Sequence, residues 1–440
     1  MKYPRMNSRV TLHQTPEGAI CFMDQALTIG EKINSSGKEI LSLCTGQNTI
    51  PQICELLAKK LGTELTPPKK SIELFLREAS NMSLLFWESS PSNVPINLTG
   101  NTQKTVPYGV VFEIIRQCNL SCNYCYMNAS PAIPSELDGS LIIRCLHDLA
   151  RMGIPRIQIT GGEPLLHPDF LLIFESALSL FPVITLSTNA TLFKPSLIEK
   201  IKELLIRYKQ RPLQGFLIQI TLDGPEQIHN QIRHSTSAFS STIEAIKALA
   251  SADMNVKVTT TLNSKNWFCI EETIQIAKSA GAKLYSLGQI TEMGRAAQKD
   301  SIPEATMTSV YQSFQQWKRQ YESPTFKIQW IDEKEEKQIK SASKTSNCGL
   351  GTQFVSITGD GNVTPCLMLR KSIGNIREHS VDEILTNEKS RFFENLRTPS
   401  SDNCNLCEQK PHCQQCIATA LEHSKHVANC WWRNEWSPLG

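Results

Sequence analysis

The chain has 440 residues, 40% hydrophobic and 20% charged, which suits two or more folded domains and excludes a disordered chain. Its 45 basic and 42 acidic residues leave a net charge of +3, too even to suggest a nucleic-acid partner or an acidic membrane surface. Met1–Val10 lacks the apolar core of a secretory signal and no apolar run of about 18 residues marks a membrane span, so a cytoplasmic location is expected. There the 15 cysteines read as metal or redox ligands before disulfides.

Residues 1–87 open with two alternating runs, Val10–Gln14 and Ala19–Met23, around Pro16-Glu17-Gly18, which predicts a hairpin. Helical periodicity follows over Gly37–Leu43, Ile50–Leu61 and Ser71–Ser80, and then an apolar stretch, Leu84–Trp87. Residues 88–105 are rich in Ser, Pro, Asn and Thr and read as a linker. Across 106–300 strand and helix alternate. The strands are expected at Gly109–Ile115, Arg156–Thr160, Val183–Ser187, Phe216–Leu222, Asn255–Leu262 and Lys283–Leu287, with helices such as Ser140–Met152 and Pro195–Tyr208 between them. This α/β alternation predicts a parallel sheet, open or curled into a partial barrel, with ligands at the carboxyl ends of its strands. Residues 301–347 form a charged helical connection (Pro303–Gln320, then Asp332–Lys340), and 348–440 holds seven of the cysteines.

After the first strand come Cys118, Cys122 and Cys125. Their C-x3-C-x2-C spacing lets three thiolates reach three corners of one iron–sulfur cube, leaving the fourth iron without a protein ligand. A zinc ion completed by a distant histidine is the alternative, although structural zinc takes four ligands. The spacing, with Tyr124 before the last cysteine, resembles the signature of the radical S-adenosylmethionine (radical SAM) superfamily. Its other turns have counterparts at successive strand ends: Gly161-Gly162-Glu163-Pro164, Ser187-Thr188-Asn189, Thr221-Leu222-Asp223-Gly224-Pro225 with His229 and Arg233, and Gly294-Arg295-Ala296.

The resemblance implies a partial (β/α)6 barrel with a 4Fe-4S cluster on Cys118, Cys122 and Cys125 and S-adenosyl-L-methionine chelated to the open iron. It implies cofactor contacts from Tyr124 at the adenine, from Gly161, Gly162 and Glu163 at the methionine ammonium, and from Thr188 and Asn189 on the ribose side. Thr221, Asp223 and Arg233 complete the implied set. Two glycines allow close backbone approach, and a carboxylate complements an ammonium. Reductive cleavage would then yield a 5′-deoxyadenosyl radical that takes a substrate hydrogen, with electrons from an external donor of the flavodoxin or ferredoxin type.

The tail, Cys348, Gly361, Cys366, Cys404, Cys407, Cys413, Cys416 and Cys430, resembles the seven-cysteine SPASM extension. It departs from it in having two residues rather than three between Cys413 and Cys416. The resemblance implies two auxiliary 4Fe-4S clusters, one on Cys404, Cys407, Cys413 and Cys430, the other on Cys348, Cys366 and Cys416. Read by spacing alone, the paired C-x2-C knuckles also suit structural zinc. Cys21, Cys44, Cys54, Cys145 and Cys269 lie on apolar faces and are expected in the core. Glu292, Asp360 and His412 are conceivable bases that read first as surface residues, and the catalytic residue stays unassigned.

Residues 1–87 resemble the RiPP recognition element, a winged-helix-like module that binds leader peptides of ribosomally made, modified peptides by strand addition. The exposed strand would be about Ala26–Ile33 and the helix Ser71–Ser80. The scattered Lys59, Lys60, Lys69 and Lys70 make a poor nucleic-acid footprint. The whole order is similar to the maturases of sactipeptides, subtilosin type. That implies a precursor peptide as partner and thioether bonds from cysteine thiols to α-carbons. Cβ or Cγ thioethers, carbon–carbon crosslinks, a sulfatase-maturase-type modification and a non-catalytic peptide-binding metal scaffold stay open as alternatives.

Overall fold

The computed structural model describes residues 2–23, 31–62, 68–134, 137–208, 215–290, 293–296, 300–331, 349–396, 404, 407, 417–424, 430 and 432. It comprises two units, residues 1–108 with 149–155, and residues 109–148 with 156–440.

In the first unit β1 (Tyr3–Met6) pairs antiparallel with β5 (Leu85–Glu88). The expected hairpin is β2 (Val10–Thr15) and β3 (Gly18–Met23), with Thr15 opposite Gly18 so that Pro16 and Glu17 make the turn. β4 (Glu31–Asn34) pairs with β3 and forms one edge of a sheet in the order β4–β3–β2–β6. Three helices follow: α1 (Ser35–Ser42), α2 (Ile50–Lys60) and α3 (Lys69–Asn81). α2 starts where Thr49 and Gln52 form a capping box and Pro51 presets the first turn. Its Ile53 and Leu57, four apart, join Ile72 and Leu76 of α3 and Leu12 and Cys21 of the hairpin in one core. Cys44 and Cys54 lie in that core too.

Two expectations change here. Residues 24–30 lie outside the described residues, so the strand expected over Ala26–Ile33 is described only as β4. The stretch read as a linker holds β6 (Asn97–Gly100), which pairs parallel with β2 and belongs to the sheet. Four residues of mixed exposure, Asn-Leu-Thr-Gly, carry too short an alternation to stand out from their polar surroundings.

The second unit is built on one long sheet. β7 (Gly109–Glu113), β8 (Arg156–Thr160), β9 (Val183–Thr188), β10 (Gly215–Thr221), β11 (Val256–Leu262) and β12 (Leu284–Gln289) lie side by side in chain order, all parallel. The crossovers carry α4 (Gly139–Arg151), α5 (Phe170–Leu180), α6 (Pro195–Arg207), α7 (Glu226–Arg233), α8 (Ala238–Ser251) and α9 (Ile270–Ser279). Parallel strands added in one direction through right-handed crossovers place every helix on the same face, the barrel-type winding and not the doubly wound one. α10 (Glu304–Tyr321) follows, and β13 (Lys327–Trp330) extends the parallel run beyond β12. The second charged helical stretch, Asp332–Lys340, lies outside the described residues.

At the other edge β14 (Phe354–Ile357) pairs parallel with β7, and β15 (Asn362–Thr364) and β16 (Gly374–Asn375) continue antiparallel. The cysteine-rich region therefore begins as a strand of the barrel sheet, and two helices, α11 (Val381–Thr386) and α12 (Glu388–Asn395), close it. A further helix, α13 (Ile417–Ser424), lies in the tail. Among the described residues no helix is long and apolar enough to cross a membrane.

The two faces of this sheet differ in kind. On one, Ile157, Ile159, Ile184, Leu186, Ile218 and Val258 are buried. On the other, the register aligns Gln158 with Thr185, Gln219 with Ser187, and Thr221 with Thr259 and Ser286. Gln158, Ser187, Gln219, Thr221 and Thr259 are only half-buried. A barrel packed for stability alone fills its interior with branched apolar side chains. This one presents amides and hydroxyls, which suits a polar ligand or a peptide backbone.

Candidate active site

The chain leaves β7 into a loop that carries Cys118, Cys122 and Cys125. The Cys118 N–H donates to the Ser130 carbonyl, and the Cys125 N–H to that of Cys122. Arg295 braces the loop from outside: Nε donates to the Cys122 carbonyl at 2.7 Å and Nη2 to that of Ala129 at 2.8 Å. Its neighbour Gly294 has φ +60°, and a Cβ there would lie 2.2 Å from the Cys125 carbonyl oxygen, so only glycine lets this turn sit flush on the cysteine loop. Cys118 and Cys122 are buried with Leu120 and Ala129, and Cys125 is half-buried against them.

Donors converge on the sulfurs. The Leu120 N–H reaches Cys118 Sγ at 3.4 Å, Asn189 Nδ2 reaches the same atom at 3.8 Å, and Arg233 Nη1 reaches Cys122 Sγ at 3.2 Å. Burial pushes the Cys118 thiol up to about 12, so the bare protein holds it protonated, whereas a bound metal deprotonates its thiols outright. Soft sulfur ligands with N–H donors and a fixed cation behind them fit a thiolate-held iron–sulfur cluster.

The turn after β8 is fastened to the same loop. The Gly162 N–H donates to the Ile115 carbonyl at 2.8 Å and the Glu163 N–H to that of Gln117 at 2.9 Å. A Cβ on Gly162 would stand 2.2 Å from the Gln117 oxygen. The Glu163 carboxylate is buried, with Oε1 accepting from the Thr188 hydroxyl at 2.7 Å and the Leu165 N–H at 3.1 Å, and Oε2 from the Asn189 N–H at 2.8 Å. Burial raises its pKa to about 7, against the pull of these donors. Both oxygens are engaged by the protein, so the carboxylate ties the turns after β8 and β9 together. Asn189 Nδ2 in turn donates to Asn119 Oδ1 at 2.9 Å, beside Cys118.

A second cluster gathers at the end of β10. Asp223, fully buried, accepts from the Tyr124 hydroxyl at 2.7 Å and pairs with Arg233 Nη2 at 2.7 Å. The same Nη2 donates to the Tyr124 oxygen at 2.9 Å, and the guanidinium stands 5.6 Å from that ring's centre. The Asp223 N–H donates to Nδ1 of His229 at 3.0 Å, and burial lowers His229 to about 2, which keeps that nitrogen a free acceptor. Burial opposes the charge on Arg233, but Asp223, Cys122 and Tyr124 outweigh it and the guanidinium stays charged. Its Nε is buried with no partner.

The structure thus brings Cys118, Glu163, Thr188 and Asn189 into one network, with Gly161 and Gly162 lying against the strand end at Ile115, and Cys122, Tyr124, Asp223 and Arg233 into another. Thr221 stands on the polar face opposite Thr259, half-buried. A polar cavity of about 490 Å³ opens beside the cysteine loop, walled by Asn119, Leu120, Thr191 and the turn from His234 to Ser237. Asn119 and Asn266, whose Nδ2 donates to the Asp223 carbonyl at 3.0 Å, escaped the sequence reading because asparagines in loops carry no pattern of their own.

In the tail, Cys366 Sγ accepts from the Leu369 N–H at 3.2 Å. Cys404, Cys407 and Cys430 are half-buried, and the Cys407 N–H bonds the Cys404 carbonyl. Cys348, Cys413, Cys416, Glu292 and His412 lie outside the described residues. Asp360 lies in the turn between β14 and β15, where hydrogen bonds with Thr358 and Asn362 outweigh burial and hold its carboxyl below the usual range, a turn residue's role.

Comparison with known proteins agrees with this geometry. The radical SAM superfamily profile matches residues 112–277, and that of SPASM, an iron–sulfur cluster-binding domain, matches 348–416. The chain is 25% identical to the antilisterial bacteriocin subtilosin biosynthesis protein AlbA of Bacillus subtilis (strain 168), over 98% of this chain and 97% of that one. It is 28% identical to an AdoMet-dependent heme synthase of Methanosarcina barkeri (strain Fusaro / DSM 804), over 71% of this chain and 92% of that one. Streptococcus suis SuiB, solved bound to its precursor peptide SuiA, shares the fold with a TM-score of 0.64 at 14% identity, covering 97% of this chain and 100% of that one.

Proposed function

The chain is a radical SAM enzyme with a SPASM domain, and from that premise we propose that it matures a ribosomally made precursor peptide by closing thioethers between cysteine thiols and α-carbons. The supporting observation is the first unit. Among the described residues it has a strand, β4, at one edge of its sheet, and the likeness to the subtilosin biosynthesis protein runs through it, over 98% of the chain. Strand addition at β4 would hold a leader peptide through main-chain hydrogen bonds. The similarity to the heme synthase extends over 71% of the chain.

In this reading Cys118, Cys122 and Cys125 hold the 4Fe-4S cluster, and Asn189 and Arg233 donate to its sulfurs. Tyr124, Gly161, Gly162, Thr188 and Thr221 line the place for S-adenosylmethionine. Glu163 orients the turns, and Asp223 holds Arg233 so that its unpartnered Nε is left for a carboxylate. Cys404, Cys407, Cys413 and Cys430, and Cys348, Cys366 and Cys416, hold two auxiliary clusters. When bound, these groups supply an oxidant able to take hydrogen from an unactivated carbon, and the chain supplies orientation and dryness. Each closure forms one S–Cα bond: the Cα hydrogen would go as an atom to the oxidant drawn from S-adenosylmethionine, the thiol proton to solvent, and the remaining electron to an iron–sulfur cluster.

The test is anaerobic turnover of a leader-bearing, cysteine-containing peptide with the reconstituted protein, a reductant and S-adenosylmethionine. Loss of two hydrogens, about 2 Da, per bridge, abolished when the leader is removed, is expected. Turnover of a leaderless protein or a tetrapyrrole, without that mass change on any peptide, overturns the reading.

A further inference from the structure

Glu113, the last residue of β7, is a fully buried carboxylate in an otherwise apolar strand. Arg370 grips it bidentately, Nη1 to Oε1 at 2.7 Å and Nη2 to Oε2 at 2.9 Å, and the Gly359 N–H adds a contact at 3.3 Å. Tyr126, directly after Cys125, gives its hydroxyl to the same carboxylate, and the Arg370 guanidinium lies 5.7 Å from its ring centre. Arg370 follows Leu369, whose N–H is bonded to Cys366 Sγ. One carboxylate therefore ties the residue next to Cys125 to the residue next to a backbone donor of Cys366.

We propose that Glu113, Tyr126 and Arg370 form a joint that sets the Cys366 loop against the Cys125 loop, making Arg370 a positioning residue for coupling cofactor cleavage to peptide modification. The proposal rests on the reading of Cys125 and Cys366 as cluster ligands. Cohesion alone does not require the joint. β14 already pairs with β7 through a backbone ladder, and a well-packed apolar pair commonly serves stability as well as a buried ion pair does. What Arg–carboxylate adds over apolar packing is planar, two-point geometry, and groups behind a metal's ligands set their orientation. Glu113 also lies in register with Thr160, on the polar face of the sheet.

The experiment uses the full-length, reconstituted protein and reads the ratio of 5′-deoxyadenosine to modified peptide together with the electron paramagnetic resonance signature of the auxiliary clusters. Arg370→Met is expected to raise that ratio roughly tenfold and alter the auxiliary signal, with Arg370→Lys in between because it keeps the charge and loses the fork. Glu113→Gln, nearly isosteric, is expected to uncouple in the same direction. A ratio and signal unchanged in Arg370→Met, including the case where both products fall in parallel because the fold is weakened, overturns the proposal. Cys366→Ala is measured alongside for iron content. If it keeps the full complement of iron, the ligand reading itself fails, and the joint with it, whatever the Arg370 variants do.

Discussion

At His13 both ring nitrogens are committed: Nε2 to the Val106 carbonyl at 2.8 Å and Nδ1 to the Thr99 hydroxyl at 3.0 Å. A carbonyl only accepts, so Nε2 carries the proton and Nδ1 accepts from Thr99. Burial lowers the ring to about 4 from its ordinary 6.5. Between those values the unfolded chain takes a proton that the folded chain refuses, so stability falls as pH drops through this window and falls no further below it. The shift amounts to about 3 kcal/mol in all. His13→Gln is expected to lessen the slope of the denaturation midpoint between pH 7 and pH 4 by that contribution, leaving the part due to buried His229, and equal slopes in both proteins would sink the assignment. At this scale the sequence was unevenly informative. Cys118, Cys122 and Cys125 announce themselves because three cysteines at a ligand-like spacing stand within eight residues of chain. Glu113 and Arg370 do not, since they are 257 positions apart and each is unremarkable alone.

Among the elements, the turn after β8 shows what a short motif does mechanically. Gly162 lets the turn lie against the strand end that feeds the cysteine loop, and the Glu163 carboxylate then reaches across to Thr188 and Asn189. Gly162→Ala should lift the turn off Gln117, costing about 1–3 kcal/mol in chemical denaturation and lowering the iron retained after reconstitution. Normal iron with normal stability would show that the backbone contact is dispensable. The six central strands were legible to within a few residues because each sets buried apolar residues at alternate positions between turns. β6, β13, β14, β15 and β16 were not, being two to four residues long and identified only by the strands they pair with.

For the molecule as a whole, the alternation along β8 and β10 divides labour. Ile157→Ala and Ile218→Ala, on the apolar face, should each cost about 2–5 kcal/mol. Truncating Gln158 on the other face should cost about 1 kcal/mol at most, the loss of its hydrogen bond to Ser187, and truncating Gln219 no more, while changing which substrates are accepted. A saturation scan reading abundance and product in parallel would then show two out-of-step periodicities of two residues, and a single shared pattern would contradict this division. The one-directional winding made the fold class readable from the order of strands and helices. It did not show which face of each strand is polar, because that follows from register. The two-faced sheet also bears on how such an enzyme diversifies. Adjacent positions in one strand answer to separate selective demands, one for persistence and one for choice of substrate. A lineage can therefore exchange the substrate it processes by point changes at alternate positions, without passing through unfolded intermediates.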